Sequence, residues 1–278
     1  MSIMRSCFYG FAFPLLLLLI VGSIAYTRAK ELTITDAAEG ISTAKRKIAR
    51  NLADSEYPVN DNQIPILMYH FIRDGVVVED DAIGYNLSVP STEFAAQMSY
   101  LKENNFTTIS FEDFLKGNYP EKSIILTFDD GYFDFREVAF PILQKYGLTA
   151  TIYIITDRFD DPNHLSELDV QYLANRGIEI GSHSATHSNM TNLSRYDLRQ
   201  ELLGSRQKLE KLTGQTVVSF SYPAGQYNDL VIEMLKRAGY ETAVTTENGL
   251  ASNQNLFKLK RVRVKRDLSV EDFANLVE

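Results

Sequence analysis

From residue 64 onward, short apolar runs alternate with segments whose apolar positions recur every three or four residues. The runs at 64–69, 107–109, 123–128, 149–156, 178–181, 217–222, 241–245 and 259–264 read as strands. Helical spacing predicts helices from 91, over 110–116, 134–146, 166–177, 197–213, 229–238 and 269–277. Phe94, Met98 and Leu101 share one helical face, with Ser91 as the expected cap; Phe135, Val138, Ile142 and Tyr146 share another. Gly147, Gly177, Gly214 and Gly239 stand where helices should stop. Residues 71–90 read as a long loop. Strand and helix in alternation with short connections predict a parallel α/β sheet, here a distorted (β/α)7-8 barrel.

The N-terminus has a different pattern. Residues 8–26 are almost uncharged and long enough to cross a bilayer, and Ser23-Ile24-Ala25 offers small residues for a signal peptidase. The expected organisation is a signal peptide or membrane anchor at 1–27, a polar linker or stalk at 28–63, and a folded domain at 64–278. Such a protein lies on the outer face of the cytoplasmic membrane, anchored there, or is secreted. Cys7 is the single cysteine, which rules out an intrachain disulfide or a thiolate metal cluster. A net charge of −8 argues against nucleic acid as a partner.

Chemistry gathers at three predicted strand ends. Asp129 and Asp130 follow the run 123–128, and adjacent carboxylates repel unless a cation or a shared proton relieves them; a plain Asp-Gly turn is the alternative. His183-Ser184-Ala185-Thr186-His187 sets two imidazoles four residues apart, which on a helix or tight helical turn would share a face. One Asp and two His with positions left for water make a catalytic divalent site. Tyr222-Pro223-Ala224-Gly225 ends a third strand in a turn whose backbone N–H groups can face a ligand. His164 reads as surface.

Thr127-Phe128-Asp129-Asp130-Gly131-Tyr132, His183-Ser184-Ala185-Thr186-His187 and Tyr222-Pro223-Ala224-Gly225, in this order, resemble the motifs of the NodB-homology polysaccharide deacetylases, carbohydrate esterase family four. The resemblance implies a distorted barrel and one divalent metal ion, zinc in most members, held by Asp130, His183 and His187. It implies Asp129 as general base and the backbone N–H of Ala224 as oxyanion donor. Tyr132, Tyr222 and Pro223, inside the motifs, become candidate substrate contacts. Two departures stand out. Ser221 occupies a position where many members carry an Arg that holds the base, and the late strand Leu259-Lys260-Arg261-Val262-Arg263 lacks a histidine that serves as acid in many. Arg261 reads as a satisfied strand-end charge, with replacement of the absent Arg as the alternative. By elimination among four histidines, His70 becomes the expected general acid. Met68-Tyr69-His70 resembles the branch acting on poly-β-1,6-N-acetylglucosamine, so an acetylated polysaccharide of that kind is the expected substrate; peptidoglycan or chitin-like oligomers are the alternatives. A barrel that binds glycan without turnover is the alternative of another class, and the intact Asp129 argues against it.

Overall fold

The computed structural model describes residues 63–278, so the predicted membrane or signal segment and nearly all of the linker lie outside the described residues. Among the described residues no helix is long and apolar enough to cross a membrane. Ten strands occur in this range: β1 Ile66–Tyr69, β2 Phe71–Ile72, β3 Ser88–Val89, β4 Thr107–Thr108, β5 Ser123–Phe128, β6 Thr151–Ile154, β7 Glu179–Ser182, β8 Ser219–Ser221, β9 Thr242–Asn248 and β10 Leu259–Arg263. Seven of them close a parallel ring in the order β1-β10-β9-β8-β7-β6-β5, with β5 returning to β1. The eighth predicted strand, β4, stays outside the ring. It pairs with Ser123 and Ile124 at the start of β5, whereas β6 pairs with Thr127 and Phe128 at its end. Two short strands thus share one edge of β5, and the barrel is distorted there.

The two faces of each strand divide the core. Ile64, Ile66, Ile125, Tyr153, Val244 and Leu259 pack inside the ring. Their sequence neighbours Leu67, Leu126, Ile152, Ile154 and Val262 point outward beneath the helices. This alternation is the period-two geometry of a strand, applied to a sheet that is buried on both faces. Nearly continuous apolar runs follow from it, and they made the strands visible in the sequence.

Helix boundaries follow local chemistry. Ser110, Ser166, Ser194, Asn228 and Ser269 each accept the N–H three residues on, and Ser166 with Asp169 completes a capping box. Ser91 does not cap its helix. It is the first residue of Ser91–Glu103, after Pro90, and its N–H and Oγ bind the Asp74 carboxylate at 3.0 and 2.6 Å. The predicted 134–146 helix starts with a π-helical turn, Phe135–Ala139. Its buried residues are Phe135, Ala139, Phe140 and Leu143, while Val138, Ile142 and Tyr146 flank them half-buried. The wider turn rotates the buried stripe away from the positions that ideal helical spacing selects.

Residues 71–90 are not a plain loop. They hold β2 and β3, paired in parallel, and the helix Ala82–Leu87, capped by Asp81. Arg73 ties the insert together through Asp81 at 2.9 Å and Ser88 Oγ at 2.9 Å. The Asp134 carboxylate accepts the Ile72 N–H and anchors the insert beside the end of β5; burial pushes that carboxyl up to about 6.

Candidate functional site

All ring strands run the same way, so their C-terminal ends share one mouth, where parallel barrels place their chemistry. Asp129 and Asp130 leave β5 there. The chain turns at once: Asp130 has φ +69° and Gly131 φ +71°. A Cβ at Gly131 would lie 3.1 Å from Ile154 Cδ1, so glycine suits both the angle and the space. Ser184 (+68°), His187 (+64°) and Ala224 (+52°) are also left-handed. Four non-glycine residues in this costly conformation thus lie in the three motifs, a concentration typical of functional sites.

His183 ends β7 and is buried, with Nδ1 2.7 Å from the Ser221 carbonyl oxygen. A carbonyl only accepts, so Nδ1 carries the proton and Nε2 keeps its lone pair. That Nε2 lies 3.4 Å from Asp130 Oδ1, and His187 Nε2 lies 3.5 Å from the same oxygen. One donor atom from each of Asp130, His183 and His187 falls within 4.8 Å of the others. The His-x-x-x-His segment is not helical, contrary to the expectation from its spacing. Two left-handed residues fold it back instead. Ser184 Oγ accepts the His187 N–H, and the Glu201 carboxylate accepts the N–H groups of Ala185 and Thr186 and the Thr186 hydroxyl. Glu201, 15 residues beyond Thr186 in the following helix, carries no motif and was missed by sequence reasoning. Burial alone would lower the His183 pKa, yet Asp130 and Asp129 raise it, so the field in this pocket is negative and suits a cation.

Asp129 is buried and faces Arg261, which donates from Nη1 to Oδ1 at 2.8 Å and from Nη2 to Oδ2 at 2.7 Å. The same guanidinium donates to Thr245 O, to Thr127 Oγ1 and, at 3.3 Å, to Ser221 Oγ. Reading Arg261 as an ordinary strand-end charge is therefore corrected. The small Ser221 leaves room for a guanidinium delivered from β10. A signal for it did exist: Arg261 is two residues beyond the inward-facing Leu259, so strand alternation puts its charge inside the barrel. Burial would raise the Asp129 carboxyl, but the Arg261 charge outweighs it and holds the group well below the ordinary carboxylate range. His70 follows β1, with Nε2 3.9 Å from Asp129 Oδ2; burial lowers its pKa against the pull of Asp129 and Asp130.

The remaining predicted residues separate. Ala224 is exposed in the turn Pro223–Gly225. Gly225 sits so close to Thr246 that a Cβ would meet its Oγ1 at 2.1 Å. Tyr222 and Pro223 are buried, and Tyr222 Oη donates to the Phe257 carbonyl at 3.0 Å. Of the candidate contacts in this motif, both side chains are thus turned into the protein, and Ala224 is the exposed residue. Tyr132 is half-buried at the mouth, stacked on Phe71 with 3.7 Å between centroids. His164 is not plain surface: its side chain is 12% exposed, its ring lies 5.0 Å from that of Tyr132, and its Nδ1 is 3.1 Å from the Asp161 carboxylate. The Tyr132–His164 bridge between neighbouring loops draws it in.

A closed parallel ring with one carboxylate and two imidazoles converging beside an ionised second carboxylate defines a hydrolytic site of the divalent-cation type. Residues 116–243 match the family model described as polysaccharide deacetylase. The chain is 34% identical over 222 residues to YxkH of Bacillus subtilis, whose name carries polysaccharide deacetylase as an assignment, covering 78% of this chain and 76% of that one. The solved Streptococcus pyogenes deacetylase PplD, in complex with acetate, superposes with a TM-score of 0.73 at 31% identity, covering 78% of this chain and 98% of that one. The poly-β-1,6-N-acetyl-D-glucosamine N-deacetylase of Escherichia coli K12 is 28% identical over 249 residues, which span 72% of this chain but 37% of that protein. The chain belongs to the polysaccharide deacetylase family, hydrolases acting on amide bonds in polysaccharides.

Proposed function

We propose that this protein removes N-acetyl groups from an extracellular polysaccharide containing N-acetylglucosamine, with poly-β-1,6-N-acetylglucosamine as the first candidate. The observation that carries this reading is the meeting of Asp130, His183 and His187 with the Arg261-clamped Asp129 and His70 in one barrel mouth. Met68-Tyr69-His70 and the similarity to the Escherichia coli enzyme support the β-1,6-linked substrate. The apolar stretch at 8–26 supports export to the outer face of the membrane or beyond.

The donor set fits a divalent cation. Asp130, His183 and His187 would hold it, and nitrogen-rich coordination with room for water suits zinc. When bound, such an ion supplies Lewis acidity, making water a better nucleophile near neutral pH and drawing charge from a carbonyl oxygen. Asp129, kept ionised by Arg261, accepts a proton from the attacking water. His70 Nε2, 3.9 Å from Asp129 Oδ2, is placed to take that proton on. His70 then delivers it to the leaving nitrogen, which cannot depart as an amide anion. The Ala224 N–H is the donor proposed for the developing charge on the acetamide oxygen.

Acetate release should be measured on β-1,6-linked N-acetylglucosamine oligomers, chitooligosaccharides and peptidoglycan fragments, with and without chelator. Release that chelator stops and zinc restores is the expected result. No release from any glycan at full zinc occupancy would leave a binding barrel instead. His70→Asn should keep its zinc and its fold yet lose about 10²–10⁴ in turnover. A variant with normal zinc and more than about a third of wild-type kcat would move the proton donor elsewhere.

A further inference from the structure

β10 carries a second arginine toward the barrel mouth. Leu259 and Arg261 face the interior, Val262 faces the helices, and Arg263 is the next inward position. Its register partner is Met68 on β1, and Met68 in turn pairs with Thr127 on β5. Arg263 therefore stands one inward step beyond Arg261, in the row below His70 and Asp129. Its charge reaches His70 and helps hold that imidazole's pKa down.

Unlike Arg261, Arg263 is left free. It is half-buried, and among the described residues no carboxylate, hydrogen-bond acceptor or aromatic ring engages its guanidinium. The mouth carboxylates that could pair with it are committed, Asp129 to Arg261 and Asp130 to the two imidazoles. Two more cations follow directly. Lys265 is exposed, and Arg266 stacks on Tyr85 of the insert at 4.4 Å, with Nε and Nη1 shut away from solvent and without a hydrogen-bond partner; Asp267 Oδ1 lies 3.9 Å from Nε in a long ion pair. A chain of net charge −8 has thus placed three cations within four residues at and just beyond the end of β10. Partly desolvated guanidinium left without a protein anion is suited to bind one from a ligand.

We propose that Arg263 forms an anion subsite of the glycan cleft, holding a carboxylate or phosphate carried by the sugar next to the N-acetyl group that is removed, with Lys265 and Arg266 extending the positive ridge. The proposal rests on the deacetylase reading above but not on its β-1,6-linked first candidate, whose unmodified chain carries no anion. It makes acidic N-acetylated glycans better substrates than neutral ones of equal length.

Three oligomer sets test it: neutral N-acetylglucosamine chains, chains with a lactyl-ether carboxylate on alternate sugars, and chains with a sugar phosphate monoester. The wild-type zinc enzyme should favour at least one acidic set over the neutral set by about tenfold or more in kcat/KM, mostly through KM; which set wins identifies the anion. That preference should weaken between 50 and 300 mM salt, as roughly expected from a Debye length that shrinks from about 14 to 6 Å. Arg263→Gln should bring the acidic-to-neutral ratio close to one, and Arg263→Lys should restore part of it. A wild-type ratio near one, or an equal loss on neutral and acidic sets in Arg263→Gln, would overturn the subsite. No release from any set by the zinc-loaded wild type would instead refute the deacetylase reading itself.

Discussion

His183→Ala and Asp130→Ala should each strip the bound cation and abolish deacetylation, whereas Asp129→Asn should keep the cation and still lose turnover. The split follows from the geometry. Asp130, His183 and His187 offer donor atoms within 4.8 Å of one another, and three protein ligands are the usual set for a catalytic zinc site. Asp129 is turned instead toward Arg261 and His70. Elemental analysis after gel filtration, paired with acetate release, separates the two classes. Expected metal content is near zero for the ligand variants and near one per chain for Asp129→Asn, with activity down by about 10³-fold or more in all three, the scale on which essential groups act. Full metal occupancy in both His183→Ala and Asp130→Ala would remove the ligand assignment.

The largest stability effect should come from Arg261→Met. The Arg261 and Asp129 side chains are 0% and 4% exposed, so removing the guanidinium leaves a buried carboxylate without its counter-charge. Breaking such a pair costs about 3–5 kcal/mol, on the order of 10 °C in Tm for a domain of this size. The pH dependence gives the mechanism its own signature. In the wild type the folded Asp129 pKa lies below its unfolded value, so its contribution is fully present above the ordinary carboxylate range and is lost as pH falls. In Arg261→Met burial dominates and the sign reverses: the folded pKa rises above the unfolded value, so stability is lost as pH rises. The Tm gap between the two proteins should therefore widen from pH 4 to pH 7. A constant gap would mean that Arg261 acts by packing alone. Activity is a further readout. With Asp129 protonated more easily, the acid limb of the kcat/KM profile should move to higher pH in Arg261→Lys, which keeps a charge but not the two-pronged geometry.

Much of this molecule was legible in its sequence because the information is local. Residues such as Ile66, Leu67, Ile125 and Leu126 are buried on both faces of one sheet, so they form apolar runs that stand out from helical spacing. Serine caps and left-handed glycines act within four residues and marked most helix ends. Asp129, Asp130, His183 and His187 were visible because each follows directly on a strand, and parallel strands bring their ends to one mouth. What remained hidden depends on partners far apart in the chain. Asp74 caps the helix that Ser91 was expected to cap; Glu201 shapes the turn between the two histidines; and Tyr222 points to Phe257 rather than outward. The insert at 71–90 is held by Asp134, which no local pattern could announce.

The sequence by itself determined the alternation of strand and helix, the strand ends that bear the carboxylates and imidazoles, and the apolar faces that close the ring, because each depends on chemistry repeated within a few residues. Tertiary structure alone decided how those groups are used. Only ring closure brings Arg261 on β10 past β1 to Asp129 at the end of β5, 132 residues earlier, and only the Ser221 carbonyl on β8 sets which nitrogen of His183 is free. Charge pairing at that range has no sequence period. It is set by the few ångströms between side chains that separate strands deliver to one low-dielectric space.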